Sequence, residues 1–195
     1  ILACGMAVSA EEAEAVRIGA LKGPTSMGIV SLGTGEQAED ANVYEKNMVT
    51  AADELTALVI GGEVDIALLP ANVASVLYNK TEGGVKVIDI NTLGVLYIVE
   101  TGDAIKSIED LKGKTVYLTG KGTSPDFVIQ YLLSAHGLTT DDVKLEYKSE
   151  ATEVVSVLTE DDTAIGLLPQ PFVTAAGMQN ENLKIALDCI CLKAL

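Results

Sequence analysis

Short apolar runs that alternate with helix-like segments constrain the fold of this chain more than any other feature of its sequence. The run at 64–69 ends at Pro70, and the run at 164–168 ends at Pro169. The intervening segments carry apolar residues at helical spacing. Strand-like runs that alternate with helices predict an α/β fold with mostly parallel sheets flanked by helices.

The predicted elements cover most of the chain. The predicted strands are 16–21, 43–49, 64–69, 85–90, 95–99, 115–118, 143–147, 164–168 and 183–187. Thr50 is predicted to cap one helix, with Asp53 three residues on, because hydroxyls at the first helix position accept a backbone N–H. Ser124 is predicted to cap another, with Pro125 at the first helical position.

Composition and charge exclude two classes of protein. No apolar stretch reaches the roughly 20 residues that a membrane-spanning helix needs. The net charge is -15 and Arg17 is the only arginine. A nucleic-acid binder needs a basic stripe to replace the counterions of the phosphates, so we expect no nucleic-acid partner.

Residues suited to catalysis or metal binding are scarce. The chain has one histidine, His136, and three cysteines whose spacing matches no zinc motif. Nucleophilic catalysis needs a base beside the nucleophile, and His136 is predicted to lie at a helix C-terminus in a structural role. The phosphate-loop spacing is also absent. We therefore expect a binding protein rather than an enzyme, with no catalytic residue, metal or cofactor.

A weak internal echo divides the chain into two halves. Leu68-Leu69-Pro70 and Leu167-Leu168-Pro169 each end a buried run just before a helix start. Thr25-Ser26 and Thr123-Ser124 each follow a predicted strand in the same way. Each half thus has hydroxyl residues in the loop between a predicted strand and the next helix. This pattern favours two similar lobes, and coincidence is the alternative.

The first residues resemble an export signal. Ile1-Leu2-Ala3-Cys4-Gly5 is similar to a lipobox, in which Cys4 would become lipid-anchored, whereas Val8-Ser9-Ala10 offers a rival signal-peptidase cut. Both alternatives imply an extracytoplasmic location, and the membrane would be contacted only through the anchor.

Three segments together resemble the type II periplasmic binding proteins, in particular the nitrate, sulfonate, taurine and thiamine-precursor branch of ABC solute-binding proteins. These segments are 107–116 (SIEDLKGKTV), 62–67 (GEVDIA) and 167–174 (LLPQPFVT). The resemblance spans residues 15–188. It implies a two-lobed fold, a small-molecule ligand between the lobes, an ABC transporter permease as partner and a monomeric state for a complete chain.

The resemblance also suggests domain limits. Residues 1–14 are interpreted as a signal remnant and linker, 15–100 as lobe 1, 101–180 as lobe 2 and 181–195 as the start of a return towards lobe 1. The family continues beyond this point, so the tail at 189–195 (CICLKAL) suggests a truncated chain. An incomplete first lobe would expose strand edges, and a dimer or swapped form is then expected.

Ligands of open α/β sheets lie beyond the carboxyl ends of the strands, where helix N-termini favour anionic groups. The resemblance places the ligand at the same loops. The candidate ligand-binding residues are Thr25, Ser26, Thr50, Asn72, Asn91, Thr92, Thr123, Ser124 and Gln170. The alternative is that the hydroxyl and amide residues among them are only helix caps.

The ligand class follows from what these loops lack. Tryptophan is absent and aromatic residues make up 4% of the chain, which disfavours a sugar stacked on aromatic faces. Arg17 is predicted at a strand start, so no arginine fork is expected in the site. A small sulfonate or other organic anion is the first expectation, and a thiamine-precursor-like pyrimidine the second. The alternative functions are an enzyme of thiamine-pyrimidine synthesis on the same fold and a ligand-sensing module of a signalling system.

Overall fold

The computed structural model describes residues 15–32 and 43–189. The eight strands in this part of the chain are β1 (Val16–Leu21), β2 (Tyr44–Val49), β3 (Ile66–Leu68), β4 (Leu96–Glu100), β5 (Thr115–Thr119), β6 (Lys144–Lys148), β7 (Ile165–Pro169) and β8 (Lys184–Asp188). The α-helices are α1 (Ala52–Ile60), α2 (Ala71–Lys80), α3 (Ser124–Ala135), α4 (Ala151–Glu160) and α5 (Phe172–Gln179). Two 3-10 helices cover Pro24–Ile29 and Ile108–Leu111.

The strands form two separate sheets. The smaller has the order β2-β1-β3 and is entirely parallel, with Ile18 of β1 opposite Lys46 and Ile66. The larger has the order β6-β5-β7-β4-β8. In it β5 pairs in parallel with β6 and β7, whereas β4 runs antiparallel to β7 and β8. We call the first sheet with α1 and α2 the small lobe, and the second sheet with α3–α5 the large lobe.

Successive side chains along a strand point to opposite faces of the sheet. The larger sheet has buried apolar side chains on both faces, and helices cover both. One cluster joins Ile98 and Leu118 to Ile129 and Leu133 of α3. The other joins Val99 and Leu168 to residues of α4 and α5, among them Val154, Leu158 and Val173. The small lobe has a much smaller core among the described residues, made of Ile18, Ala20, Val49, Leu55 and Leu77.

The predicted α/β fold with sheets flanked by helices is confirmed, and so is its mostly parallel pairing. The predicted strand at 85–90 is wrong, because these residues adopt no regular structure. The sequence assigns 96–100 to lobe 1 and residues from 181 to a return towards it, whereas β4 and β8 both pair within the larger sheet. The proposed lobe limits otherwise stay a prediction.

Some predictions concern residues outside the described part. The N-terminal segment with Cys4, the polar turn at 33–42 and the tail from 190 lie there. Among the helices that are described, none combines the length and apolar character needed to cross a membrane.

Candidate ligand-binding site

Parallel pairing gathers the loops that carry the candidate residues at one edge of each sheet. In the small lobe, the loops after β1, β2 and β3 begin at residues 22, 50 and 69. In the large lobe, the loops after β5, β6 and β7 begin at 120, 149 and 170. Because β4 is antiparallel to β7, its first residue, Leu96, lies opposite Pro169 and brings the connection from the small lobe to this same edge.

The two edges face each other, and two observations show it. The side-chain amide Nδ2 of Asn72, in the first turn of α2, donates to the carbonyl of Gly122 in the β5–α3 loop at 3.0 Å. A Cβ built on Gly23, after β1, would lie 3.7 Å from the ring of Phe172, at the start of α5. The carboxyl ends of the strands in the two lobes therefore face each other at one junction, which we call the crevice.

In the helices that begin at this crevice, the side chain of the N-cap residue accepts no hydrogen bond from the first backbone N–H groups. The N-cap residues of α1, α2, α3 and α5 are Ala51, Pro70, Thr123 and Pro171, and none makes a side-chain cap. At α5, Gln170 Oε1 accepts from the Thr174 N–H at 3.3 Å instead. Free N–H groups and the positive end of the helix dipole favour an anionic group.

Four of the predicted residues lie together in the small-lobe half of the crevice. The hydroxyls of Thr25 and Ser26 both donate to the carbonyl of Leu21, Thr25 at 3.3 Å. Asn91 Nδ2 donates to the Thr25 carbonyl at 3.1 Å, and Thr92 donates to Asn91 Oδ1 at 3.1 Å. These bonds tie the connecting segment onto the loop after β1.

Three predicted residues lie in the large-lobe half. Thr123 donates its hydroxyl to the Gly120 carbonyl at 2.6 Å, and Ser124 is the exposed first residue of α3. Gln170 accepts from the Thr174 hydroxyl at 2.9 Å. The prediction that Ser124 caps α3 is wrong, because Thr123 occupies that position and its hydroxyl is bonded elsewhere.

Thr50 takes part in none of the hydrogen bonds described above for the other predicted residues. It is exposed, and Ala51 rather than Thr50 precedes the first residue of α1, so the predicted cap is wrong. The helix α1 begins one residue later than the Thr-x-x-Asp spacing indicates. Ligand contact by any of the nine residues stays a prediction.

A buried carboxylate next to this site was not selected from the sequence. Asp126 is 5% exposed and accepts from the Gly122 N–H at 2.7 Å and from the Tyr147 hydroxyl at 2.6 Å, and also from Gln130 Nε2. Burial opposes its ionisation, but these hydrogen bonds outweigh burial and lower the pKa of Asp126. Its place in the first turn of α3 is readable from the sequence, whereas its partner Tyr147, on β6, is not.

His136 is held in a structural contact at the end of α3, and Cys189 packs against the core of the large lobe. His136 Nδ1 lies 2.8 Å from Glu109 Oε1 at the end of α3, and this bond lowers the pKa of Glu109 to about 2. Burial raises the pKa of the Cys189 thiol to about 12, the opposite of what a nucleophile needs. Within 15–32 and 43–189, no group of three or more His, Cys, Asp or Glu residues could hold a metal ion.

The only arginine is also engaged elsewhere. Arg17 donates from Nη2 to Asp65 Oδ1 at 2.7 Å and from Nε to Oδ2 at 3.1 Å. The guanidinium lowers the pKa of Asp65 to about 2. This pair borders a surface depression at the amino end of β1, opposite to the edge that faces the large lobe.

Solved structures of binding proteins share this architecture. An ABC transporter structure from Parabacteroides distasonis is 27% identical, with a TM-score of 0.65, and the match covers 90% of this chain and 59% of that one. The periplasmic aliphatic sulphonate binding protein SsuA from Escherichia coli is 20% identical, with a TM-score of 0.71 and coverage of 92% and 62%. The alkanesulfonate-binding protein SsuA from Xanthomonas axonopodis pv. citri, bound to MOPS, is 17% identical, with a TM-score of 0.62 and coverage of 92% and 62%.

The chain thus spans about six tenths of the length of these structures. The two SsuA structures, both below 25% identity, support the fold alone. The family is shown by sequence instead: a family model described as "ABC transporter, phosphonate, periplasmic substrate-binding protein" matches residues 42–187, well over half of the 195 residues. The chain therefore belongs to the phosphonate-type periplasmic substrate-binding proteins of ABC transporters.

Proposed function

We propose that the chain captures a small organic anion, a sulfonate or a phosphonate, in the crevice between the two lobes and delivers it to the permease of an ABC importer outside the cytoplasm. The observation that carries the proposal is the meeting of uncapped helix N-termini from both lobes across one crevice, next to the Asn72–Gly122 hydrogen bond. Backbone N–H groups at helix starts suit oxyanions without an arginine fork.

The ligand class is supported from two sides. The matching family model is of phosphonate type, and two similar folds belong to sulfonate-binding proteins. Sulfonates and phosphonates share a tetrahedral anionic head with several acceptor oxygens. Such a head can accept from N–H groups of both lobes at once, which would favour closure of the lobes around it.

The test is a thermal and calorimetric screen of the protein against alkyl sulfonates, alkyl phosphonates, inorganic sulfate and inorganic phosphate. A ligand at 100 times its Kd is expected to add about 2.7 kcal/mol to the free energy of unfolding. Absence of any shift across both organic series would overturn the proposal. Chemical turnover of a bound compound would favour an enzyme instead.

Lipid attachment through Cys4 is a separate proposal, because Cys4 lies outside the described residues. It rests on the lipobox-like sequence at 1–5. Radiolabelled palmitate should be incorporated into the wild-type protein in a bacterial host and not into the Cys4→Ser variant. Equal labelling of both proteins would contradict it.

A further inference from the structure

Within the described part of the chain, the connection between the two lobes is short and anchored at both ends. On the small-lobe side, Asn91 Nδ2 donates to the carbonyl of Thr25 at 3.1 Å. On the large-lobe side, the N–H of Gln170 donates to the carbonyl of Val95 at 3.2 Å. Residues 92–94 lie between these two anchors. A rotation of one lobe against the other would therefore be concentrated in this segment.

The segment 92–94 itself is held weakly. The side chain of Leu93 is 81% exposed, so it does not pack against either lobe. The hydroxyl of Thr92 lies 3.4 Å from the Pro24 carbonyl, which is long for a hydrogen bond. The lobes can therefore turn about this segment while both sheets stay intact, and the arrangement in which the lobes touch needs contacts of its own.

A direct hydrogen bond supplies such a contact. Asn72 Nδ2 in the first turn of α2 donates to the carbonyl of Gly122 in the β5–α3 loop at 3.0 Å. The two residues are 50 positions apart and lie in loops and helices of different sheets. This bond exists only while the lobes are together, and it is lost when they separate.

The acceptor of this bond is fixed by the large lobe alone. Gly122 has a φ of 74°, in the left-handed region that favours glycine. Its N–H donates at 2.7 Å to the buried carboxylate of Asp126, which also accepts from the Tyr147 hydroxyl. The Gly122 carbonyl is thus already aimed when the lobes are apart, so little freedom is lost when Asn72 reaches it.

The donor is fixed in the same way by the small lobe. Asn72 follows the first residue of α2, and this helix is anchored through Leu77, which is 1% exposed. The backbone that carries the amide therefore keeps its place when the lobes separate. Two groups that are both held in position form a bond at a smaller entropic cost than two mobile surface side chains.

We infer that the Asn72–Gly122 hydrogen bond is a latch that holds the two lobes closed before any ligand is bound. The inference goes beyond the proposed function, because it concerns the ligand-free protein. The net effect of one such bond corresponds to about a two- to tenfold change in an equilibrium constant. A ligand then stabilises an arrangement that is already populated, and less of its binding free energy is spent on closure.

Pulsed electron paramagnetic resonance on the ligand-free protein measures the open and closed arrangements directly. Spin labels on p-acetylphenylalanine placed at Ala57 of α1 and Ser134 of α3, both exposed, put one label in each lobe and leave the cysteines unlabelled. We expect the wild type to show mainly the label distance that the structure gives. Asn72→Ala should lower the ratio of closed to open molecules by about two- to tenfold.

Asn72→Asp is a second variant of nearly unchanged size. A carboxylate has no donor, and its oxygen would face the Gly122 carbonyl, so two acceptors would repel each other. This variant should open the lobes further than Asn72→Ala does. An acidic residue in the first turn of α2 favours that helix, so the opening would not arise from loss of the helix.

The matched control is Asn79→Asp, which adds the same charge to the same helix. Asn79 is exposed, and its side-chain amide donates within the helix to the Ser75 carbonyl. The distance distribution of this variant should remain that of the wild type. Circular dichroism checks the folding of each protein, and Asn72→Ala decides the outcome if Asn72→Asp does not fold.

Three results would overturn the inference. The first is a ligand-free wild type that is mainly open, and the second is a distribution that stays unchanged in the folded Asn72 variants. The third is an Asn79→Asp protein that opens as far as Asn72→Asp, because added charge would then explain the effect. Since no ligand is used, these results leave the proposed function standing, and failure of the ligand screen would leave the latch standing.

Discussion

At the residue scale, Asp126 joins three parts of the large lobe through its buried carboxylate. It holds Gly122, Gln130 and Tyr147, which belong to the β5–α3 loop, to α3 and to β6. A buried carboxylate is stabilising only while its donors are present, because its desolvation is otherwise uncompensated. The geometry of the crevice loop therefore depends on the ionised state of this residue.

Asp126→Asn is expected to destabilise the protein by about 2 kcal/mol at pH 7, because an amide cannot accept on both of its atoms. The pKa of Asp126 is lowered on folding from an ordinary value of 3.8. The contribution of Asp126 is therefore present above pH 3.8 and is lost as the pH falls through the lower, folded-state pKa.

Urea unfolding of the wild type and Asp126→Asn over a pH series measures this difference. The gap between their free energies of unfolding should be largest at neutral pH and should shrink in acid. A gap that does not change with pH would show that the carboxylate is not ionised in the folded state.

Tyr147→Phe is expected to cost about 1 kcal/mol, because it removes the hydroxyl that donates to Asp126. It should also reduce the lowering of the Asp126 pKa. Denaturant unfolding at pH 7 gives the first value, and NMR titration of the Asp126 carboxyl gives the second. Tyr131→Phe is the control, since Tyr131 is 60% exposed, and an equal loss there would contradict the prediction.

At the scale of elements, the sequence predicts what local physics decides. Runs of apolar residues between breakers place β1, β5 and β7 within a residue or two of their true limits. The wrong predictions concern pairing between distant parts of the chain. Residues 85–90 have strand-like composition but pair with no strand in the described part of the chain, whereas β4 joins the larger sheet between β7 and β8.

The candidate site shows the same division. The spacing of Thr25, Ser26 and Thr123 after strands places them at the carboxyl-end edges of the sheets, because parallel strands bring their carboxyl ends together. It does not predict that these hydroxyls bond to nearby carbonyls. The Asn72–Gly122 bond joins residues 50 positions apart and depends on how the lobes meet, which no local pattern reports.

Gly166 sets how closely α4 packs on β7. A Cβ at this position would lie 2.8 Å from Leu158 Cδ1 and 3.3 Å from Val154 Cγ1, both buried. Gly166→Ala should therefore destabilise the protein by about 1–3 kcal/mol through overpacking. Gly177→Ala should instead stabilise the protein by about 0.5–1 kcal/mol. Nothing lies within 4 Å of a Cβ built at this position, and alanine favours the helix α5.

Chemical denaturation of both glycine variants measures these two changes. Destabilisation by Gly166→Ala together with a gain from Gly177→Ala would support close packing at the strand alone. If both variants lost stability equally, backbone effects common to any glycine would explain the result better than the α4–β7 contact.

At the scale of the whole molecule, the two lobes differ in how much they bury. The larger sheet is covered on both faces, by clusters that include Ile98 and Leu118 on one side and Val99 and Leu168 on the other. In the small lobe, β2 leaves the side chains of residues 45–48 exposed, and none of the residues of β3 is fully buried. Since burial supplies most of the free energy of folding, the lobes should not be equally stable.

Hydrogen exchange of the ligand-free protein should reveal this inequality. β1 pairs with β2 and β3, as β5 pairs with β6 and β7, so both strands have a neighbour on each side. We expect β1 to exchange at least about tenfold faster than β5, because the small lobe can open while the large lobe stays folded. Identical rates in both sheets would mean that the lobes unfold together. A ligand held by both lobes should slow exchange mainly in β1, because it adds contacts to the lobe that has fewer of its own.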